Sequence, residues 1–527
     1  MPPPSKKRRD QPATEVDIME HIQNLVWCKS EWTYPELSKE SKELLRKCVN
    51  STKHETEYDV EEVIKKSDEF PVPFPIDTVR LKELKKRRPD NRLTRNINST
   101  YTVIHERVLI LMADFLHHKR KYGSDIEKAL YKDMDVPQFV ERILKKRAVA
   151  FLTAKDKYKL ITGEKGADGW ESVGTPDEKP PLLLKNCLSY DEMKISAMVY
   201  VSGYTDCIND GARKNSGKVN DDNIEQEAII IGVIGSRFKR DGRMDCEDIL
   251  VSKAQNTELN GYGDSHSPKQ QWRQLWADFF QKPSRTYKDV YTIPIENRTK
   301  DKQYMNRYVK ISPDVLFDNE TYYRRTAILI ETTLLEANSR GKEANKNVYL
   351  NVIGAGLGVW KASKHQEDVY VLAFVERVRA MLGEGLLNNI TDINFAYIKP
   401  GRSVTGLFRS SKSGDKEIEK VFIENEQHPK GGINVQLESR EPTAKLAAEH
   451  AGKLLVITYP WDGNAHPGNE FWIGKLGSSG DPAAACSTQV SELHNAHVNP
   501  VLTGLNVRVA GRGGLSTLRD CCLALNA

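Results

Sequence analysis

Among its eight cysteines (Cys28, Cys48, Cys187, Cys207, Cys246, Cys486, Cys521 and Cys522) the 527-residue sequence has no CxxC pair and no metal-ligand spacing. This pattern reads as reduced thiols in an intracellular protein, not as a disulfide framework or a zinc site. Nor is there an apolar run near the ~20 residues that span a bilayer. The opening MPPPSKKRRD is not a signal peptide, so no membrane partner is expected, and the sequons at Asn50, Asn98 and Asn297 carry no weight. Charge of one sign is also scarce. The net charge is +5, from 78 Lys and Arg against 73 Asp and Glu, which argues against a dedicated nucleic-acid binder. The expected location is cytoplasmic, nuclear or both. Lys6, Lys7, Arg8 and Arg9 read equally as an import signal or a solvated basic tail within residues 1–13.

What is present is globular: 39% hydrophobic and 29% charged residues, with no internal repeat. Residues 14–160 read as a helical, highly charged region. Ile104, Val108, Leu111, Met112 and Phe115 fall on one helical face, and Pro71, Pro73 and Pro75 form an extended connector. A Gly- and Pro-rich stretch, 161–182, reads as a linker or long loop. From 183 to 510 the character changes. Buried-strand candidates at 227–238, 348–354, 390–398, 433–440 and 453–461 alternate with helical segments at 322–338 and 367–382. That alternation predicts a three-layer α/β domain. Residues 209–223 and 409–420 read as surface loops, and 511–527 as a C-terminal extension. Within the 322–338 helix, Tyr322, Tyr323, Arg324 and Arg325 read as packing or solvated residues in preference to ligand contacts.

Two loops carry chemistry. In VYLNVIGAGLGVWK a strand runs into Gly354, Gly356 and Gly358, then Trp360. Alternate glycines let backbone N–H groups approach an anion, and a phosphate or diphosphate suits such a cradle; a tight strand-to-helix turn explains them equally well. No Gly-Lys-Ser/Thr follows, so this is not a P-loop. The second loop, WDGNAHPGNEFWIGKLGSSGDPAAA, gathers Asp462, Glu470 and Asp481 among glycines and aromatics. Ser478, Ser479 and Gly480 lead into a helix for which Asp481 is a candidate N-cap and Pro482 the first residue. Trp461, Phe471 and Trp472 read as packing residues or as stacking partners for a base or sugar. A metal held by Asp462, His466, Glu470 and Asp481 matches no standard spacing, so no metal is expected. Both loops begin at carboxyl ends of strands, where ligand crevices form in open α/β sheets.

These strings, with QNTELNGYG (255–263) and ELHNAHVNP, resemble the MavL-like macrodomain family of arginine-specific ADP-ribosyl hydrolases over about residues 185–510. The resemblance implies a macrodomain-like fold, a mixed sheet between helices. It implies ADP-ribose as ligand and product, no further cofactor, and ADP-ribosylated arginine-containing proteins as partners. It places ADP-ribose against Gly354, Gly356, Leu357, Gly358, Val359 and Trp360, with Asn464, Asn469, Trp472, Ser478, Ser479 and Gly480 on the other wall. Asn256 and Asn260 are further candidate contacts, against turn formation at Asn260-Gly261. Asp462, Glu470 and Asp481 become the catalytic set, holding the guanidinium and activating water; Glu470 stands where the bacterial member has an aspartate. Two other readings stay open: a non-catalytic ADP-ribose reader, and an RNA- or chromatin-associated protein that uses the charged N-terminal half. The residues 236–248, SRFKRDGRMDCED, are a further source of contacts.

Overall fold

The computed structural model describes residues 17–29, 31–50, 56–292, 300–413 and 416–527. The basic cluster Lys6–Arg9 and the sequon at Asn297 lie outside them. Each of the five apolar runs singled out above forms a strand. In chain order the strands are β1 Tyr101–His105, β2 Ala150–Leu152, β3 Lys157–Lys159, β4 Lys165–Gly166, β5 Val199–Asp206, β6 Glu227–Val233, β7 Leu250–Ser252, β8 Tyr308–Ser312 and β9 Val315–Asp318. There follow β10 Val348–Ile353, β11 Ile390–Ala396, β12 Arg409–Ser413, β13 Lys416–Glu424, β14 Gly432–Leu437, β15 Leu454–Pro460, β16 Val507–Gly511 and β17 Gly514–Thr517.

Eleven of these make one mixed sheet in the order β12-β13-β14-β11-β10-β15-β6-β5-β1-β16-β17. Its centre is parallel: β14, β11, β10, β15 and β6 run the same way. The flanks are closed by antiparallel pairs and by one parallel pair, β1 with β16. Parallel strands need long crossovers, and the helices Asn319–Ala344 and Gln366–Gly383 supply two of them. The 26-residue helix is buried over most of its circumference because it packs on several central strands and on the second helix at once.

The mostly helical region expected at 14–160 also carries strands. Helices predominate, but β1 lies inside the main sheet, parallel to β16 and antiparallel to β5. The string TYTVIHERVLIL satisfies both a strand period and a helix period, so Tyr101–His105 hid in the helix that follows, Glu106–Tyr122. One core of buried side chains runs from Ile18 to Cys522. The stretch 161–182 is a packed loop: Trp170, Val173 and Leu182 join Phe151, Met193 and Ala465 in a second cluster. Residues 409–413 and 416–420 form an antiparallel strand pair at the sheet edge instead of a surface loop. The tail from 511 continues as β17 and the helix Leu518–Asn526, which packs on the helix Lys39–Val49.

Three arginines of the basic run at 80–95 tie it to the sheet: Arg88 and Arg92 both pair with the buried Asp206 at the end of β5, and Arg95 pairs with Glu227.

Candidate active site

Strands β10, β15 and β6 are neighbours in the sheet and parallel, so their following loops emerge side by side. The β6 loop and the glycine loop touch through backbone. A Cβ on Gly235 would overlap the Ala355 carbonyl, and one on Gly356 would sit 2.7 Å from Ser236 O. Gly356 also has φ +72°, a conformation costly for any other residue. The expected facing of the glycine and acidic loops is present. Trp360, Gly235 and Arg237 line one crevice with Asp462, Gly463 and Asn464, floored by Phe151, Met193 and Ala197.

The acidic loop is built from its anchors outward. Trp461 N–H extends the ladder by donating to Val233 O (2.8 Å), and its indole N–H donates to Ala465 O (2.9 Å). The Arg147 guanidinium lies 4.1 Å over the Trp461 ring. Ala148 then clips the loop, donating to Asn464 O (3.1 Å) and accepting from His466 N–H (2.8 Å). The Asn469 amide closes a pair of bonds with the Phe151 backbone (2.9 and 3.1 Å). Trp472 packs on Phe70 and Phe74 of the proline-rich connector and donates to Pro467 O (2.8 Å). Asn469 and Trp472 therefore hold the loop's shape and do not line the crevice.

This frame fixes two carboxylates in the same manner. Asp462 Oδ1 accepts from Asn464 N–H (2.7 Å), and Asp481 Oδ1 accepts from Gly468 N–H (2.8 Å). The second oxygen of each, Oδ2, is buried without a hydrogen-bond partner, as are both amide atoms of Asn464. Burial pushes Asp462 up to about 6, against the pull of the Arg237 guanidinium and with a push from Glu470. Asp481 is raised well above the usual carboxylate range by burial, by Glu470 and by Asp462. Glu470 is only half buried; burial raises it too, while its bond from Ser479 Oγ (3.3 Å), Lys475 and Arg213 act the other way. Mutual repulsion of three acids is what a guanidinium would relieve. His466, buried beside His497, is pushed well below its ordinary value and stays neutral.

Other expected residues have settled roles. Asp481 is not a helix cap: the short helix Gly480–Ala485 begins after Ser479, so Asp481 and Pro482 are its second and third residues. Gly480, lacking a Cβ, packs against the Pro460 ring. Ser478 bonds Lys475 O (3.0 Å) and receives Arg213 Nε on its carbonyl (3.1 Å). Gly354 packs against Leu357, which is part of the core, whereas Gly358 faces open space and Val359 is 79% exposed. Asn256 accepts from Ser252 N–H (2.9 Å), and Asn260 donates to Gln255 O (2.9 Å). These two asparagines build the turn after β7 and lie outside the crevice lining. Tyr323 and Arg325 are buried packing residues of the long helix. Among the described residues no group of three or more His, Cys, Asp or Glu side chains is arranged to hold a metal.

Comparison with known proteins adds an independent line. The family model described as "ADP-ribosylhydrolase MavL-like" matches residues 61–523. The chain belongs to the MavL-like ADP-ribosylhydrolase family. Two Drosophila melanogaster relatives are named ADP-ribosylarginine hydrolase: CG3568, 40% identical over 92% of this chain and 92% of its own, and CG2909, 38% identical over 92% and 93%. The family match begins at 61, well before the expected start near 185. It therefore takes in β1, Arg147, Ala148 and Phe151, which the fold places in the sheet and under the acidic loop. In this member of the family, sequence reasoning passed over Arg147, Phe151 and Asp156 and left Arg237 as one of several possible contacts. Arg147 sits among lysines in KKRAVAF, and nothing local sets it apart. No helix among the described residues is long and apolar enough to cross a membrane.

Proposed function

We propose that this protein hydrolyses the N-glycosidic bond between C1″ of ADP-ribose and the guanidinium of a modified arginine, in a macrodomain-like crevice at the ends of β6, β10 and β15. The observation that carries the reading is the pair Asp462 and Asp481. Each has one oxygen tied to a loop N–H and the other buried and unpartnered. A buried carboxylate without partners is destabilising. A cationic guanidinium and a water molecule are ligands that satisfy such oxygens.

The roles divide by environment. Asp462, near 6, is mostly ionised at neutral pH and suits a general base for water. Asp481, raised well above the usual carboxylate range by burial and by its acidic neighbours, and the partly buried Glu470 receive the guanidinium, whose charge draws both toward ionisation. Water oxygen attacks C1″ as the C1″–N bond breaks, and the bonding pair leaves with the nitrogen as neutral guanidine. The proton taken by Asp462 ends on that guanidine, giving arginine and ADP-ribose. Carboxylates near C1″ stabilise its oxocarbenium-like charge.

The relatives' names support the arginine linkage, and the glycine loop supports a diphosphate beside it. A non-catalytic reader has no use for an acid poised near 6. The test is release of free ADP-ribose from an arginine-linked ADP-ribosylated peptide, with serine- and glutamate-linked peptides as controls. Release from the arginine peptide alone is expected. Binding of ADP-ribose without release from any peptide would favour the reader.

A further inference from the structure

Two buried arginines meet at Asp245, and they differ in how their donors are used. Arg325 spends its guanidinium on Asp245 Oδ1 (3.1 Å), Ala197 O (2.8 Å) and Ile234 O (3.2 Å). Arg237 takes only a backbone bond from that acid, its N–H donating to Asp245 Oδ2 (2.9 Å). Its Nη2 reaches the other way, to Thr153 O (2.8 Å) and to Asp156 Oδ1 (2.7 Å), a carboxylate with no exposed surface. The guanidinium carbon lies 4.8 Å from the centre of the Phe151 ring. Arg237 is itself 5% exposed, yet its Nε and Nη1 have no acceptor. It lines the crevice between the glycine loop and Asp462.

Each orphan donor of a buried charged group is destabilising; the buried Arg147 leaves one nitrogen without a partner, whereas Arg237 leaves two. Here the anchors fix the guanidinium by one nitrogen and leave two donors over. The unpartnered amide of Asn464 and Oδ2 of Asp462 border the same crevice. The backbone contact between Gly235-Ser236 and Ala355-Gly356 sets Arg237 next to the loop suited to a diphosphate. A guanidinium is the side chain best matched to phosphate oxygens.

We propose that Arg237 is a ligand-binding residue that donates from Nε and Nη1 to the phosphate nearest the distal ribose, with Thr153 and Asp156 aiming it. This rests on the ADP-ribose reading above. It gives the strand hairpin around 150–159 a part in substrate binding.

The experiment measures binding of ADP-ribose and of ADP, which lacks the distal ribose, by calorimetry to the full chain. The wild type is compared with Arg237→Met and Arg237→Lys, each with its thermal midpoint recorded. The expected result is a loss of about tenfold or more for both ligands in Arg237→Met. Arg237→Lys, which keeps charge but not the planar donors, should fall between and secures the comparison if the methionine variant folds poorly. Either variant binding both ligands as tightly as wild type overturns the proposal. Loss for ADP-ribose with ADP unchanged overturns the phosphate assignment. A folded wild type that binds no ADP-ribose overturns the hydrolase reading and this inference with it.

Discussion

The glycine loop after β10 and the acidic loop after β15 face each other across one crevice, but they are stabilised in opposite ways. The first is held by shape. Its backbone lies directly against Gly235 and Ser236, its tip at Gly358 and Val359 is open, and it contains no ionisable group before Lys361. The second is held by polar anchors: Ala148, Asn469, Gly468 and the aromatic cluster on Trp472. Those anchors satisfy half of each aspartate and leave the other half unsatisfied. Binding geometry is thus concentrated in the one loop, and destabilised charge in the other. Function and stability should separate when each is altered.

The largest effect is expected at Asp462. Asp462→Asn should lower turnover of the arginine-linked peptide by ~10²–10⁴-fold while raising the thermal midpoint at pH 8. The sign follows from burial. A carboxyl whose folded value near 6 exceeds its ordinary 3.8 destabilises the fold once pH rises through that range, and the amide removes this. In the wild type, kcat/KM should fall as pH drops below about 6, when Asp462 takes up its proton.

Next comes a contrast within the glycine loop. Gly356→Ala combines φ +72° with a Cβ 2.7 Å from Ser236 O, and should cost about 1–3 kcal/mol and weaken ADP-ribose binding. Gly358→Ala meets nothing within 4 Å and should stay within about 0.5 kcal/mol of wild type by chemical denaturation. Among the three acids the smallest effect is expected at Glu470. It is only partly buried and already attended by Ser479, Lys475 and Arg213, so Glu470→Gln should change kcat/KM by less than about fivefold.

The same contrast marks what the sequence discloses. Central strands such as β6 (EAIIIGV) and β15 (LLVITYP) are legible because a strand buried on both faces must be continuously apolar. The three acids stand out in the sequence because carboxylates are unusual among tryptophans and glycines, and their part in the reaction is the proposal made above. β1 is not legible, since five apolar-rich residues running into an apolar helix fit either period. Arg147, Phe151 and Asp156 are hidden for a different reason. Their roles arise from contacts made some 80 to 320 residues away in the chain, to Arg237, Trp461 and Asn469. Asn469 and Trp472 looked like ligand contacts because a loop's internal scaffold and its ligand wall draw on the same residue types.

One measurement bears most directly on the central claim. Single-turnover release of ADP-ribose from an arginine-linked ADP-ribosylated peptide should be followed for wild type and for the Asp462→Asn, Asp481→Asn double variant, with ADP-ribose binding checked in parallel. The account requires wild-type release, and a double variant that binds ADP-ribose, folds at least as stably and releases almost none. A double variant that releases ADP-ribose at the wild-type rate would contradict it.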